Sequence, residues 1–385
     1  MSITEQKHSK EQLVVISGEI ARHDTRMSRC RIHDAQTIVF VTLCAVLCGY
    51  TSWDEIAEYG RCRKSLIEEY LGPLASMPSH DTISRFFSLL KPTAFEGEYR
   101  KWVEMVFCRR SNPSEKKDVL AFDGKEIIGA RESDGTPLRV LSAFSTECGI
   151  SLGQKVIGGK SNEIPAMQEL LREIDIRDTV VTADALNCQR DTCRTILEEG
   201  GDYFLFVKSN QKSLMDAVRK GVDGAVAHPR SNNQKVSIRH EGHGRVTYRT
   251  CVAVGERLYL GSINDKWAGV KSFGSVTTEG TRRATQTRYF ITSLPMDAER
   301  FLEVARSHWG VENGLHWRLD VDFHEDDTRK KRNAAKNFSL ICKMAIAILS
   351  LDKTKLPMSR KKQKMALNEQ YFREMMEKVS KKKEL

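Results

Sequence analysis

The chain has 385 residues, long enough for a large core and for more than one domain. It is 40% hydrophobic and 29% charged, which fits a soluble globular protein and excludes a disordered or membrane-embedded one. Lys and Arg number 61 against 51 Asp and Glu, a formal charge of +10 that suits a polyanionic partner but is modest for this length.

The 10 cysteines are scattered, with no CxxC pair and no zinc-finger spacing, so a reduced, cytosolic protein is expected. "MSITEQKHSKEQ" is too polar for a signal peptide. "IVFVTLCAVLCGY" falls short of the roughly 20 residues that span a bilayer and reads as a buried helix capped by Asp34. No membrane role follows.

Residues 31 to 100 read as helical. "SWDEIAEYGRCRKSLIEEYL" starts at the N-cap Ser52, and "PSHDTISRFFSLLK" restarts at Ser79 after a Gly-Pro turn. The second helix places Ile83, Phe86, Phe87 and Leu90 on one face and Asp81, Thr82, Ser84 and Arg85 on the other. Two short helices about a turn resemble a helix-turn-helix, with Arg85 facing DNA; small helical subdomains that never touch DNA share the pattern.

From about residue 117 the texture becomes strand–turn–strand. "DVLAFD" is a buried strand, "RVLSAFSTECGISLGQKVI" a hairpin turning at Glu147-Cys148-Gly149, and "NEIPAMQELLREI" a helix begun by Ser161 or Asn162. The strand "DTVVTAD", a helix near 188–199, the strand "YFLFV" and a helix near 211–221 follow. This order suits a mixed sheet flanked by helices. Strand texture returns over 235–295, then a helix from near Asp297, then the apolar helix "NFSLICKMAIAIL". The last 33 residues are basic and read as solvated or loosely helical.

Two motifs are decoys. "GQKVIGGKS" spaces Gly153 and Gly159 one residue too far apart for a phosphate loop, with Gln154 where the glycine belongs. His308, Glu312 and His316 share a helical face that could suit zinc, but the two histidines are about 12 Å apart along the axis.

Two buried strands each end in an aspartate, Asp123 and Asp184, and Glu312 lies on a later helix. One acid at a strand end is commonly a cap or a turn residue. Three converging in a half-buried place would repel one another unless divalent cations neutralise them. Oxygen-only ligation selects Mg²⁺ or Mn²⁺, and two such ions suit phosphodiester chemistry.

"AFDGKEI", "LSAFST", "GQKVIGGKSNEIPAMQELL", "TADALNCQ", "GGDYFLFVKSNQ" and "HWGVENGLHWRLDVDFHEDD" together resemble a bacterial insertion-sequence DDE transposase of the H repeat-associated (Rhs element) protein group. The likeness covers nearly the whole chain, including "SWDEIAEYG". It implies an α/β catalytic core of ribonuclease H-like (retroviral integrase-type) fold: a mixed sheet with a β-rich insertion, preceded by a helical N-terminal domain. The implied organisation is an arm (1–30), a helical DNA-binding domain (31–112), a catalytic domain (113–352) with its insertion at about 235–295, and a basic tail (353–385).

The resemblance carries the catalytic and metal-ligand roles onto Asp123, Asp184 and Glu312, with two Mg²⁺ or Mn²⁺ ions. It implies double-stranded DNA as partner, at least a homodimer at work, and a place in the bacterial cytoplasm at the nucleoid. Lys125 and the "KSNQ" residues Lys208, Asn210 and Gln211 fall at the expected DNA edge, the latter three reading equally as a turn and cap. Related transposases carry Tyr, Arg and Lys around the glutamate where this chain has Ala305, His308 and Leu319. Arg306, His308 or Arg318 would then contact phosphate instead. "HGR" at 243–245 resembles a family motif of the insertion. Of the other acids nearby, Asp320 is about 12 Å beyond Glu312. Glu325, Asp326 and Asp327 read as solvated or paired with "RKKR", and Asp322 as able to turn inward. The reaction implied is cutting at transposon-end inverted repeats and joining of the 3′-hydroxyl to target DNA. The alternatives are an immobile, domesticated DNA-binding relative and a stand-alone metal-dependent nuclease.

Overall fold

The computed structural model describes residues 12–107, 116–132, 135–158, 163–242, 245–255, 266–280 and 283–380. The helix start at Ser161 or Asn162, the "HGR" stretch and the last five residues lie wholly or partly outside them. The chain opens with helices α1 (Gln12–Ala21), α2 (Ala35–Leu47), α3 (Trp53–Cys62), α4 (Lys64–Leu71), α5 (His80–Leu89) and α6 (Pro92–Phe107). Ser52 and Glu55 form a reciprocal capping box on α3, and Ser79 accepts from the Thr82 N–H on α5. The stretch expected as one helix from Ser52 breaks at Arg63, whose φ of −109° and ψ of 21° leave the helical region. Asp34 flanks α2 without a side-chain capping bond.

Strands β1 (Asp118–Arg131), β2 (Pro137–Ser145) and β3 (Ile150–Ile157) precede α7 (Glu163–Glu173). Next come β4 (Thr179–Ala183), α8 (Arg190–Glu198), β5 (Asp202–Val207) and α9 (Lys212–Ala227). Four long strands follow: β6 (Asn233–Gly242), β7 (Arg245–Val254), β8 (Ser272–Gly280) and β9 (Arg283–Thr292). They are not a separate layer. All nine strands join one sheet in the order β3-β2-β1-β4-β5-β9-β8-β7-β6, with β1, β4 and β5 parallel and the other pairings antiparallel.

The central strands are apolar on both sides because both faces are covered. Leu120 and Phe122 pack with Met167, Leu170 and Val218 of α7 and α9. Val119, Val180 and Phe204 pack with Phe301 and Ala305 of α10 (Ala298–His308) on the other face. After α10 come a π-helical segment (Glu312–His316), α11 (Trp317–Val321) and the apolar α12 (Arg332–Leu349).

The basic segment after residue 353, read as solvated or loosely helical, forms α13 (Met358–Leu367) and α14 (Glu369–Ser380) instead. Tyr371, Phe372, Met375, Met376 and Val379 recur at helical spacing and are buried in the core that α1 to α6 share with α12. The segment expected as an N-terminal arm contributes Leu13, Ile16 and Ile20 of α1 to that core. Trp53 stacks on Phe87 at 5.5 Å and meets Phe338 of α12 edge-on at 5.4 Å. Asn337 on α12 donates to the carbonyls of Phe87 and Leu90. Among the described residues no helix is long and apolar enough to cross a membrane.

Candidate active site

Parallel pairing of β1 with β4 sets Phe122 opposite Ala183, so Asp123 and Asp184 are the next residues on adjacent strands. Neighbouring strands run about 4.8 Å apart. Asp184 leaves the sheet at the end of β4 and accepts from the backbone N–H groups of Leu186 (3.0 Å) and Asn187 (3.4 Å). The Asn187 amide bridges Asp184 (3.4 Å) and Glu163 (2.8 Å), a carboxylate at the start of α7. Gly124 leaves room for Glu163, whose carboxylate would lie 3.3 Å from a β-carbon there.

Glu312 opens the π segment and is exposed. The Trp317 N–H reaches back five residues to the Glu312 carbonyl, a widened turn that recurs at functional sites. Burial pushes the Asp123 carboxyl up to about 7, with the charges of Asp184 and then Glu312 adding to it and Glu163 contributing least. The charges of Asp184 and Glu312 therefore both act on Asp123. Among the described residues no three His, Cys, Asp or Glu side chains are grouped closely enough to hold an ion.

Both histidines of the helix face inward. His316 Nδ1 lies 3.4 Å from Asp123 Oδ2, and burial pushes its imidazole down to about 3. His308 is 8% exposed, with Nδ1 3.3 Å from the Thr182 hydroxyl, and burial pushes it down to about 4. His308 is thus a buried packing group, which corrects its expected place at DNA. Ala305 and Leu319 are buried too, so all three positions that depart from the related pattern lie inside the fold.

Lys125 is the second correction. Its side chain is 9% exposed and its ammonium pairs with Asp320 (2.6 Å), Asp326 (2.7 Å) and Glu325 (3.3 Å). Burial alone would lower its pKa, but Glu325, Asp320 and Asp326 outweigh burial and hold it above its usual value. It is consumed within the fold. Glu325 is 5% exposed, and Asp326, though 30% exposed at its side chain, is bound to Lys125, so neither pairs with "RKKR"; Asp327 is exposed beside His324. Asp322 turns inward, to 5% exposure.

Of the remaining residues expected at DNA, Asn210 donates to the Ala185 carbonyl (2.7 Å) and Gln211 to the Cys188 carbonyl (3.2 Å). Both brace the loop that follows Asp184. Lys208, Arg306 and Arg85 are exposed. Arg318 lines a groove of about 460 Å³ with Trp317, Val321 and Lys361. One group escaped sequence reading: Arg288 on β9, whose guanidinium lies 4.6 Å from the Trp309 ring centre and feels the Glu312 charge. No motif marks it, because only the pairing of β9 with β5 brings it there.

Residues 22–103 match the family model described as DDE_Tnp_1-associated, and residues 114–349 match the Transposase DDE domain. The chain is 35% identical over 352 residues to the "H repeat-associated putative transposase YhhI" of Escherichia coli strain K12, covering 88% of this chain and 91% of that one. It is 36% identical over 352 residues, with the same coverage, to the "Putative protein YbfL" of the same strain. The piggyBac transposase synaptic complex with hairpin DNA overlaps 98% of this chain and 82% of that one at 12% identity, with a TM-score of 0.44. The chain belongs to the DDE transposase family and, within it, to the H repeat-associated group.

Proposed function

We propose that this transposase cuts DNA at the inverted repeats of its element's ends and joins the freed 3′-hydroxyl to target DNA, with Asp123, Asp184 and Glu312 holding two Mg²⁺ or Mn²⁺ ions. The observation that carries the reading is the pairing of β1 with β4, which seats Asp123 beside Asp184, together with the rise of Asp123 to about 7 through burial, to which the charges of Asp184 and Glu312 add. Cations relieve such repulsion, and an all-oxygen donor set suits Mg²⁺ or Mn²⁺. The order β3-β2-β1-β4-β5, with β2 alone running against the other four, supports a ribonuclease H-like core that β6 to β9 extend.

The residues around the acids serve orientation. Asp184 is fixed by two backbone N–H groups and the Asn187 amide, and Asp123 faces the His316 ring. A ring with its pKa near 3 is neutral at pH 7, so it orients Asp123 without adding a positive charge. When bound, the ions lower the pKa of an attacking water or hydroxyl and stabilise the leaving oxygen of the phosphodiester. Arg85 in the helical part, with Lys208, Arg306 and Arg318, would contact DNA, and two copies would pair the two ends.

The test uses the full-length protein, a plasmid carrying the element's own ends, and Mg²⁺. Strand cuts at the ends and joined products are expected. Glu312→Gln should abolish both while sparing DNA binding and the melting temperature, because Glu312 is exposed. Cutting without end preference or joining would favour the stand-alone nuclease, and binding without cutting the immobile relative.

A further inference from the structure

Strands β7, β8 and β9 carry their own charge pattern. Arg249 pairs in register with Thr278, and Arg288 with Val276 two residues earlier on the same strand, so both arginines lie on one face of the sheet. That face also packs α10, through Cys251, Val276 and Phe290 against Phe301 and Ala305. Helix α10 also packs on β7, and the charge of Arg306 in its last turn acts on Arg249. Arg288 lies over the Trp309 and Phe206 rings, at 4.6 and 5.8 Å from their centres, and feels the Glu312 charge.

None of Arg249, Arg288, Arg306 and Lys208 pairs with a carboxylate among the described residues. Arg63, Arg139, Arg177, Arg300 and Arg373 do. Arg249 Nε is buried with no hydrogen-bond partner. Burial lowers Arg249 from its ordinary value, with Arg306 adding, and burial does the same to Arg288. Arg249 is half-buried with an exposed second cation acting on it, and Arg288 is half-buried against two rings; a phosphate oxygen offsets the cost of such placements through charge-assisted bonds.

We propose that this face of the outer sheet is a docking surface for the DNA backbone, with Arg249 and Arg306 holding one phosphate and Arg288 another nearer Glu312. The track leads from the open end of the sheet to the acids. It rests on the transposase reading, since it continues that site outward, and it gives the four added strands a part in binding substrate. The occupant is duplex DNA because the face offers charge and planar donors for phosphate, with the acidic cluster at one end only.

The test measures binding of the full-length protein to a fluorescent 30-base-pair duplex of arbitrary sequence across a salt series without divalent cations. Removing the group that holds one phosphate should lower the slope of log affinity against log salt by about 1. The double variant Arg249→Gln/Arg306→Gln should bind at least about tenfold more weakly at low salt, with a shallower slope. Arg288→Lys keeps the charge and loses the planar stack, so it should weaken binding less. Arg177→Gln, which breaks a pair with Asp175 in an exposed turn, should match the wild type. A double variant that melts like the wild type and binds with unchanged affinity and slope would overturn the docking face and leave the transposase reading standing. A wild-type chain that binds no duplex at any salt would sink both.

Discussion

Lys125 shows how far a charged residue's neighbours decide its part. Three carboxylates surround one ammonium, and the Asp326 carboxylate also accepts from the Ile128 N–H at 3.3 Å. Lys125→Met leaves these acids without a counter-charge in a largely buried place. A loss of about 3–5 kcal/mol in urea unfolding is expected, with part of it recovered in mild acid as the carboxylates protonate. Glu96, on the buried face of α6 and 3% exposed, gives the pH-dependence. Burial raises it from 4.5 to about 7, and Lys155 and Arg100 only partly oppose the rise. Because the folded state holds this proton more tightly than the unfolded chain, stability is full below about pH 4.5 and falls as pH climbs toward 7. A shift of that size carries about 3 kcal/mol. In Glu96→Gln the fall in melting temperature between pH 4.5 and 7 should be clearly smaller than in the wild type; an identical fall would remove Glu96 as its source.

The π segment is the element on which the proposed site turns. It packs on the sheet, where a β-carbon at Gly314 would stand 2.7 Å from the Phe144 ring of β2; just before the segment, one at Gly310 would stand 3.3 Å from Thr146. Gly314→Ala should therefore lift Glu312 off the sheet, costing about 1–3 kcal/mol and most of the cleavage. Adding Phe144→Leu should restore part of both, as thermal melts and the end-cleavage assay would show. How far this was legible varies by element. The central strands could be read because burial on both faces leaves a continuous apolar run, and Ser52 and Ser79 could be read because a cap is a local signal. The π turn could not, since its sequence keeps ordinary helical spacing. Nor could the fate of Lys125, whose partners lie about two hundred residues along the chain. Helices α13 and α14 were hidden differently: the apolar stripe from Tyr371 to Val379 is present in the sequence, but the lysines around it masked it.

At the scale of the whole molecule, the first helices and the last share one core. Arg63 pairs with Glu369 at 2.6 Å, Arg373 with Glu69 at 2.9 Å, and the Tyr99 hydroxyl donates to the Ser151 carbonyl of β3 at 2.7 Å. A fragment of residues 1–112 would expose the apolar surface that α12 and α14 cover. It should melt without a cooperative transition, whereas the full chain should keep these helices through one calorimetric transition with the sheet. A cooperative melt of the fragment would show that α1 to α6 complete their own core. DNA recognition through Arg85 is accordingly a property to measure in the whole chain.

The placement of α12 has a consequence during synthesis. Residues from Arg332 onward leave the ribosome well after α1 to α6, yet those helices cannot finish burying Phe87 or covering Trp53 until Phe338 and Asn337 arrive. A nascent or prematurely terminated chain would thus lack a finished helical core as well as its final helices, even where Asp123, Asp184 and Glu312 had all been translated. A stop codon or frameshift late in the gene would then act as a complete loss. The half-made chain would be left with neither a settled helical layer nor a supported setting for the three acids.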